Sequence, residues 1–293
     1  MKTSRRSFIK SSALAGSSIL ICPAISCRKT KSTFLENIGI CTDLSDWKIL
    51  EAAGYTYLEE SVQNFLIPLD NESLFETKLE LLKQSELPVP ALNGFIPGKL
   101  RCVGPDAVHE EILKYAETAF RRAQITGVKH IVFGSSGSRR VPEGFSKDEA
   151  LDQFTDLCRK MAPVAEKYDV VVVIEPLNKG ECNLLNYVAD GGEIVKTVNH
   201  KNIMLLADLY HMLRENESPG SIIRYGEYIR HTHIAENKER AVPGTYNDDF
   251  VPYFRALKEI DYKGLMSIEC RWKNMAEQAG PALQVLKKQI ESV

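Results

Sequence analysis

Four residues in the second half of the chain are of the types that hold a cation. Glu175, Asp208, His233 and Glu269 stand at or beside the ends of short apolar runs covering 170–175, 203–208, 229–234 and 265–269. Three carboxylates and one imidazole supply oxygen and nitrogen ligands for a divalent ion. Gathered without a cation, the carboxylates would repel one another strongly. One charged residue at the end of an apolar run is as often the solvated start of a loop. Four on consecutive runs are hard to assemble that way and point to one site. His231 and His233 lie two residues apart, so on a strand both face the same side. His233, nearer the C-terminal end, is the better ligand; His231 is expected deeper, behind it or filling a layer of side chains.

The elements that must position these groups alternate along the chain. β-type runs at 37–41, 55–59, 89–93, 130–133, 170–175, 203–208, 229–234 and 265–269 are separated by helical patterns near 43–53, 72–85, 106–126, 147–168, 188–199, 217–224, 248–259 and 275–291. Apolar, β-branched runs of this kind suit parallel strands buried on both faces. Eight βα cycles in about 260 residues predict a closed (β/α)₈ TIM barrel, an α/β fold, rather than an open doubly wound sheet. In such a barrel the reactive groups collect where strands end and βα loops begin. No G-x-G-x-x-G follows the first run, so the dinucleotide-binding signature is missing. No Pro/Gly/Ser-rich linker interrupts 34–293, which reads as one domain.

Two loops offer weaker signals. The stretch from Gly134 to Pro142, with Arg139 and Arg140, lacks the Lys-Ser/Thr of a P-loop and reads as a mobile loop with solvated charges rather than an anion cradle. Asn93-Gly94-Phe95 and Phe65 could offer aromatic surface for a sugar, although each is more often plain packing.

Composition narrows the classes. With 293 residues, 44% hydrophobic and 26% charged, the chain is neither disordered, collagen-like nor coiled-coil. Its 37 basic and 39 acidic residues leave no basic excess for phosphate backbones, so nucleic acid is not an expected partner. The charge is uneven: residues 1–27 carry Lys2, Arg5, Arg6 and Lys10 and no acid, leaving 33 basic against 39 acidic beyond them. Ser4-Arg5-Arg6-Ser7-Phe8-Ile9-Lys10, followed by a short run of small and apolar residues, resembles a twin-arginine export signal. Residues 1–27 are therefore expected to direct export to the periplasm, with Cys27 a candidate for lipid anchorage. Cys41, Cys102, Cys158, Cys182 and Cys270 show no zinc-finger spacing.

Four segments carry a more specific likeness. Ile174-Glu175-Pro176-Leu177-Asn178, Asp208-Leu209-Tyr210-His211-Met212, His231-Thr232-His233-Ile234-Ala235-Glu236 and Ser267-Ile268-Glu269-Cys270 resemble the xylose-isomerase-like sugar isomerase/epimerase superfamily, nearest to its ketose 3-epimerase and hydroxypyruvate-isomerase branch. The resemblance covers essentially the whole chain beyond the leader. It implies one divalent ion, Mn2+, Mg2+, Co2+ or Zn2+, on Glu175, Asp208, His233 and Glu269, with Glu175 and Glu269 also moving the substrate's proton. It implies that Glu181, six residues after Glu175, and His211, three after Asp208, contact substrate oxygens. The family's arginine normally lies six residues after the metal histidine, where this chain has Glu239. Arg240, three before Pro243-Gly244, matches the Arg-x-x-Pro-Gly spacing and takes that role after a one-residue insertion.

The expected chemistry is proton abstraction α to the carbonyl of a small carbohydrate, through an enediolate, ending in epimerisation or isomerisation. Expulsion of a β-substituent, as in a dehydratase or a lyase on 3-keto-glycosides, is the alternative at the same site. A phosphodiesterase of the endonuclease-IV type needs more histidines than the six present. A non-catalytic sugar- or metal-binding protein is the remaining class, and the pair Glu175 and Glu269 argues against it. A homo-oligomer is expected, since the resemblance is to proteins that form dimers or tetramers.

Overall fold

Eight short runs pair in parallel into one sheet. They are β1 (Ile38–Cys41), β2 (Tyr57–Ser61), β3 (Ala91–Asn93), β4 (His130–Phe133), β5 (Val171–Ile174), β6 (Ile203–Asp208), β7 (Ile229–Ile234) and β8 (Leu265–Ile268). Each pairs with the next in chain order, and β8 pairs back onto β1 to close the barrel. The computed structural model describes residues 36–293; the expected leader 1–27, with Cys27, lies outside the described residues.

Helices α1 (Trp47–Ala53), α2 (Glu72–Leu82), α3 (His109–Thr126), α4 (Ser136–Arg139), α5 (Lys147–Lys167), α6 (Val188–Val198), α7 (Leu209–Arg214), α8 (Gly220–Arg224), α9 (Val251–Glu259) and α10 (Met275–Glu291) follow the strands. Outward strand residues such as Ile40, Leu58, Ile131, Val172 and Ile268 merge with the apolar helix faces into one continuous core. Inward residues alternate with them, as the period of two requires. Val132, Val173 and Leu206 form a separate apolar cluster inside the barrel. The remaining inward positions on β2, β7 and β8 are polar and buried: Tyr57, Glu59, His231, His233 and Ser267.

Three local expectations are corrected and the packing reading of two aromatic residues is borne out. The second strand begins at Tyr57 rather than 55, because Gly54 ends α1 in the left-handed region (φ 88) and Tyr55 is anchored by its hydroxyl, which donates to the Ala279 carbonyl at 2.7 Å. That shift carries Glu59 into the middle of β2. The helix expected near 217–224 is the shorter α8, and a further helix not expected from the sequence, α7, follows β6 directly. The stretch after β4 is not a solvated loop: Ser136–Arg139 is helical, and Arg139 is fully buried. Its guanidinium donates to the Glu175 carbonyl at 2.5 Å and the Phe133 carbonyl at 3.3 Å, tying the ends of β4 and β5 together. Phe95 and Phe65 are fully buried and offer no sugar wall; Phe95 packs edge-on against Phe133 with centroids 5.4 Å apart.

Candidate active site

Strand ends and the turns after them bring the chosen residues to one mouth. Glu175 follows β5 directly, and its backbone N–H still donates to Phe133 at 3.4 Å, so its side chain continues the inward parity of Val171 and Val173. Gly134 makes room for it: a Cβ there would lie 2.1 Å from Glu175 Oε2. Asp208 ends β6 and caps α7, its Oδ1 accepting from the N–H groups of Tyr210 at 2.8 Å and His211 at 3.4 Å. His233 projects from β7, and Glu269 follows β8 with its N–H donating to Ile234 at 3.1 Å.

His233 is the hub. Its Nδ1 lies 3.1 Å from Glu175 Oε1 and 3.0 Å from Glu269 Oε2, and its Nε2 lies 3.0 Å from Glu59 Oε1. His231 sits below it on the same side of β7, with ring centroids 5.0 Å apart, as the two-residue spacing predicts.

Glu175, Asp208, His233 and Glu269 each place one ligand atom within 4.8 Å of the others'. Asp208 Oδ2 is buried without a hydrogen-bond partner, an orphan acceptor that a cation would satisfy. Three carboxylates around one imidazole form a hard, oxygen-rich donor set with room for a divalent ion. The residues therefore fit the metal that the resemblance implies.

Electrostatics separate the two glutamates. Burial pushes the Glu175 carboxyl up, against the pull of His233. Burial acts on Glu269 too, but His233 and Arg240 outweigh it and hold that carboxyl at about 2. Burial disfavours a charged His233, yet its neighbours, Glu59 foremost, outweigh it and hold the imidazole well above its ordinary value.

The three residues that the resemblance assigns to the substrate stand on the rim. Arg240 Nη2 donates to Glu269 Oε2 at 2.5 Å, Nη1 to Glu181 Oε1 at 3.4 Å, and Nη2 lies 3.7 Å from Asp208 Oδ2. Its guanidinium also covers the Tyr210 ring at 4.8 Å. Glu239 and Arg240 both take left-handed backbone angles (φ 62 and 52). Buried Glu236 holds that loop, accepting from the N–H groups of Gly244 at 2.7 Å and Asn247 at 3.0 Å. His211 Nδ1 accepts from Asn178 Nδ2 at 2.8 Å, while its Nε2 is buried, unpartnered and 3.4 Å from Asp208 Oδ2.

All seven residues singled out in the sequence are thus in one cluster, Glu181 and Arg240 at its outer edge. Sequence reasoning missed several of their partners. Glu59 is wholly buried behind His233. Asn93 Nδ2 donates to Glu269 Oε1 at 3.2 Å, and Asn178 bridges His211 and Glu181, 3.0 Å from the latter. The helix-ending Gly54 was the available signal for Glu59, since it moves the strand start by two residues and Glu59 from the strand's end to its middle.

Comparison with known proteins agrees with this fold. The chain matches the Xylose isomerase-like TIM barrel family over residues 47–289. An L-ribulose 3-epimerase from Methylomonas sp. (strain DH-1) is 31% identical over 150 residues, covering 44% of this chain and 52% of the relative. The chain spans about half the length of the curated relatives it matches. Among solved structures, the E. coli 3-keto-D-glucoside 4-epimerase YcjR superposes with a TM-score of 0.72 at 22% identity, covering 86% of this chain and 99% of that one. The IOLI protein with a bound zinc atom superposes with a TM-score of 0.68 at 22% identity, covering 87% and 97%. At these identities the structural likeness speaks for the fold. With a closed eight-stranded parallel barrel and a family match across most of its length, this chain belongs to the Xylose isomerase-like TIM barrel family.

Proposed function

We propose that this protein is a divalent-metal-dependent sugar isomerase or epimerase, acting on keto-sugars or keto-glycosides. The observation that carries the reading is the arrangement around His233 Nδ1, where Glu175 and Glu269 approach within 3.1 and 3.0 Å beside the orphan acceptor of Asp208. Epimerases of free ketoses and of keto-glycosides among the relatives support the substrate class.

Glu175, Asp208, His233 and Glu269 would hold the ion. When bound there, a divalent ion supplies a Lewis acid for a carbonyl and its neighbouring hydroxyl. Glu175 and Glu269 then serve as the acid–base pair: one takes the proton α to the carbonyl, leaving an enediolate, and the other returns a proton to the opposite face. Asn93 and Arg240 orient Glu269, and Gly134 leaves space for Glu175. His211, through its unpartnered Nε2, Glu181 and Arg240 bind substrate oxygens. Proton return to the same carbon inverts it; return to the neighbouring carbon isomerises the sugar.

Loss of a β-substituent from the same enediolate is the second reading; the keto-glycoside relatives are themselves 4-epimerases and bear only on the substrate class. Incubating metal-loaded protein with unphosphorylated ketoses and 3-keto-glycosides in deuterated water separates the two. Deuterium at the α-carbon of an epimer supports the epimerase, and release of the aglycone supports a lyase. Binding with neither exchange nor release would sink both. The basic leader adds the proposal that the chain is exported by the twin-arginine route. Retention of the protein in the cytoplasm when Arg5 and Arg6 are both changed to Lys would support it.

A further inference from the structure

The proposed chemistry leaves one deeply buried charge without a task. Glu59, fully buried on β2, places Oε1 3.0 Å from His233 Nε2 and Oε2 2.6 Å from His231 Nε2. Ser267 Oγ lies 2.6 Å from the same Oε2 and 2.9 Å from the Tyr57 hydroxyl. Tyr57 can lie there because β1 carries Gly39 beside it; a Cβ at that position would be 2.3 Å from its ring.

An ionised carboxylate only accepts hydrogen bonds, so each of these partners must donate to it. Both histidines must therefore carry a proton on Nε2. On His233 the opposite nitrogen, Nδ1, is the one that faces Glu175 and Glu269. A cation entering between Nδ1, Glu175 and Glu269 displaces the proton from Nδ1, whereas Glu59 keeps the one on Nε2; Nδ1 is then the ligand atom and the plane of the ring is fixed.

We propose that Glu59 is a positioning residue that locks His233 in the Nε2–H form with Nδ1 turned to the cation. The proposal rests on the metal site of the preceding section. It explains why the position holds a carboxylate instead of its amide. Glutamine would set an NH₂ group against one of the two Nε2–H donors. The His231 side resists, because moving its proton to Nδ1 would leave that proton on a buried atom with no partner. The His233 side yields, because a proton on its Nδ1 finds Glu175 and Glu269. Glu59→Gln thus directs a proton onto the atom that the cation needs.

The test is calorimetric titration of the metal-free full chain with Zn2+, followed by side-chain 15N–1H spectra of the zinc-loaded protein. The wild type is expected to bind one zinc, with His233 bound through Nδ1 and a slowly exchanging proton on Nε2. Glu59→Gln is expected to bind zinc about 10–100-fold more weakly and to lose that proton signal. Glu59→Asp, which keeps the acceptor-only group one methylene shorter, should retain the signal and recover part of the affinity. Equal zinc affinity and an unchanged Nε2–H signal in Glu59→Gln would overturn the proposal and leave the metal site standing. If Glu59→Gln does not fold, Glu59→Asp decides: zinc bound through Nε2 in that variant would overturn it. Two zinc ions per wild-type chain, falling to one in Glu59→Gln, would also overturn it by making Glu59 a ligand with Cys41 and His233. A wild-type chain that binds no divalent ion would overturn the site and this proposal together.

Discussion

The two sides of the barrel's interior are built from the same backbone and opposite chemistry. On the side of β4, β5 and β6, Val132, Val173 and Leu206 pack as a small apolar cluster. On the side of β2, β7 and β8, Tyr57, Glu59, His231, His233 and Ser267 are joined by contacts between 2.6 and 3.0 Å. Burying each apolar side chain stabilises the fold by about 1.5–3 kcal/mol, with little demand on direction. A typical hydrogen bond contributes only about 1 kcal/mol net, and a buried group left unpaired is penalised by more than that. The polar side is therefore an inefficient way to fill a barrel. Its return is directional: it sets which atoms of His233 face the mouth.

If that division is real, changes on the two sides should separate function from stability. The largest effect is expected at the mouth. Glu175→Gln and Glu269→Gln should each lower turnover by about 10²–10⁴-fold, measured by deuterium exchange on the best ketose substrate, with a urea midpoint close to wild type. Near-wild-type turnover with metal bound would remove these residues from the acid–base role.

Leu206→Ala should act in the opposite sense. Opening a cavity in the apolar cluster should destabilise the protein by about 2–5 kcal/mol in urea unfolding, while zinc affinity of the folded protein stays within a few-fold. A parallel collapse of zinc affinity would show that the two sides work as one unit.

A smaller effect concerns pH. His130 stacks under His231 with centroids 6.2 Å apart, and burial, followed by the nearby His231, lowers its pKa to about 4. Between that value and the ordinary imidazole value the unfolded chain binds the extra proton and the folded chain does not. Stability is then full above about pH 6.5 and falls as pH drops toward about 4. The His130→Asn variant should flatten this limb in urea midpoints taken across the range, and an unchanged slope would show that His130 is not its source.

The smallest effect is expected on the surface. Lys83 and Glu80 are paired at 2.7 Å, but their side chains are 69% and 67% exposed. Lys83→Ala should change stability by no more than about 0.5 kcal/mol. A larger loss would mean that exposed pairs rival the buried network.

The sequence made some of this legible and hid the rest for physical reasons. Strands β4, β6 and β7 have the expected bounds: β6 is apolar until Asp208, and β7, though polar inside, is bracketed by Ile229 and Ile234. The inward parity of Glu175 and His233 follows from the period of two. Arg139 was misread because its acceptors are backbone carbonyls at Phe133 and Glu175, which every residue possesses and no pattern marks. Phe95 was ambiguous because a ring's partners, here Phe133, Phe120 and Tyr115, come from other elements.

By itself, then, the sequence determined the count and order of the strands and the four groups that end the later ones, since periodicity and residue type are local properties. Only the tertiary structure decided that Glu59 stands behind His233. The start of β2 depends on Tyr55 reaching Ala279, which lies 224 residues further along the chain. Two residues earlier or later leave a strand's parity unchanged but move a side chain up or down the barrel by about 7 Å. That displacement separates a carboxylate at the rim from one that holds the imidazole in place.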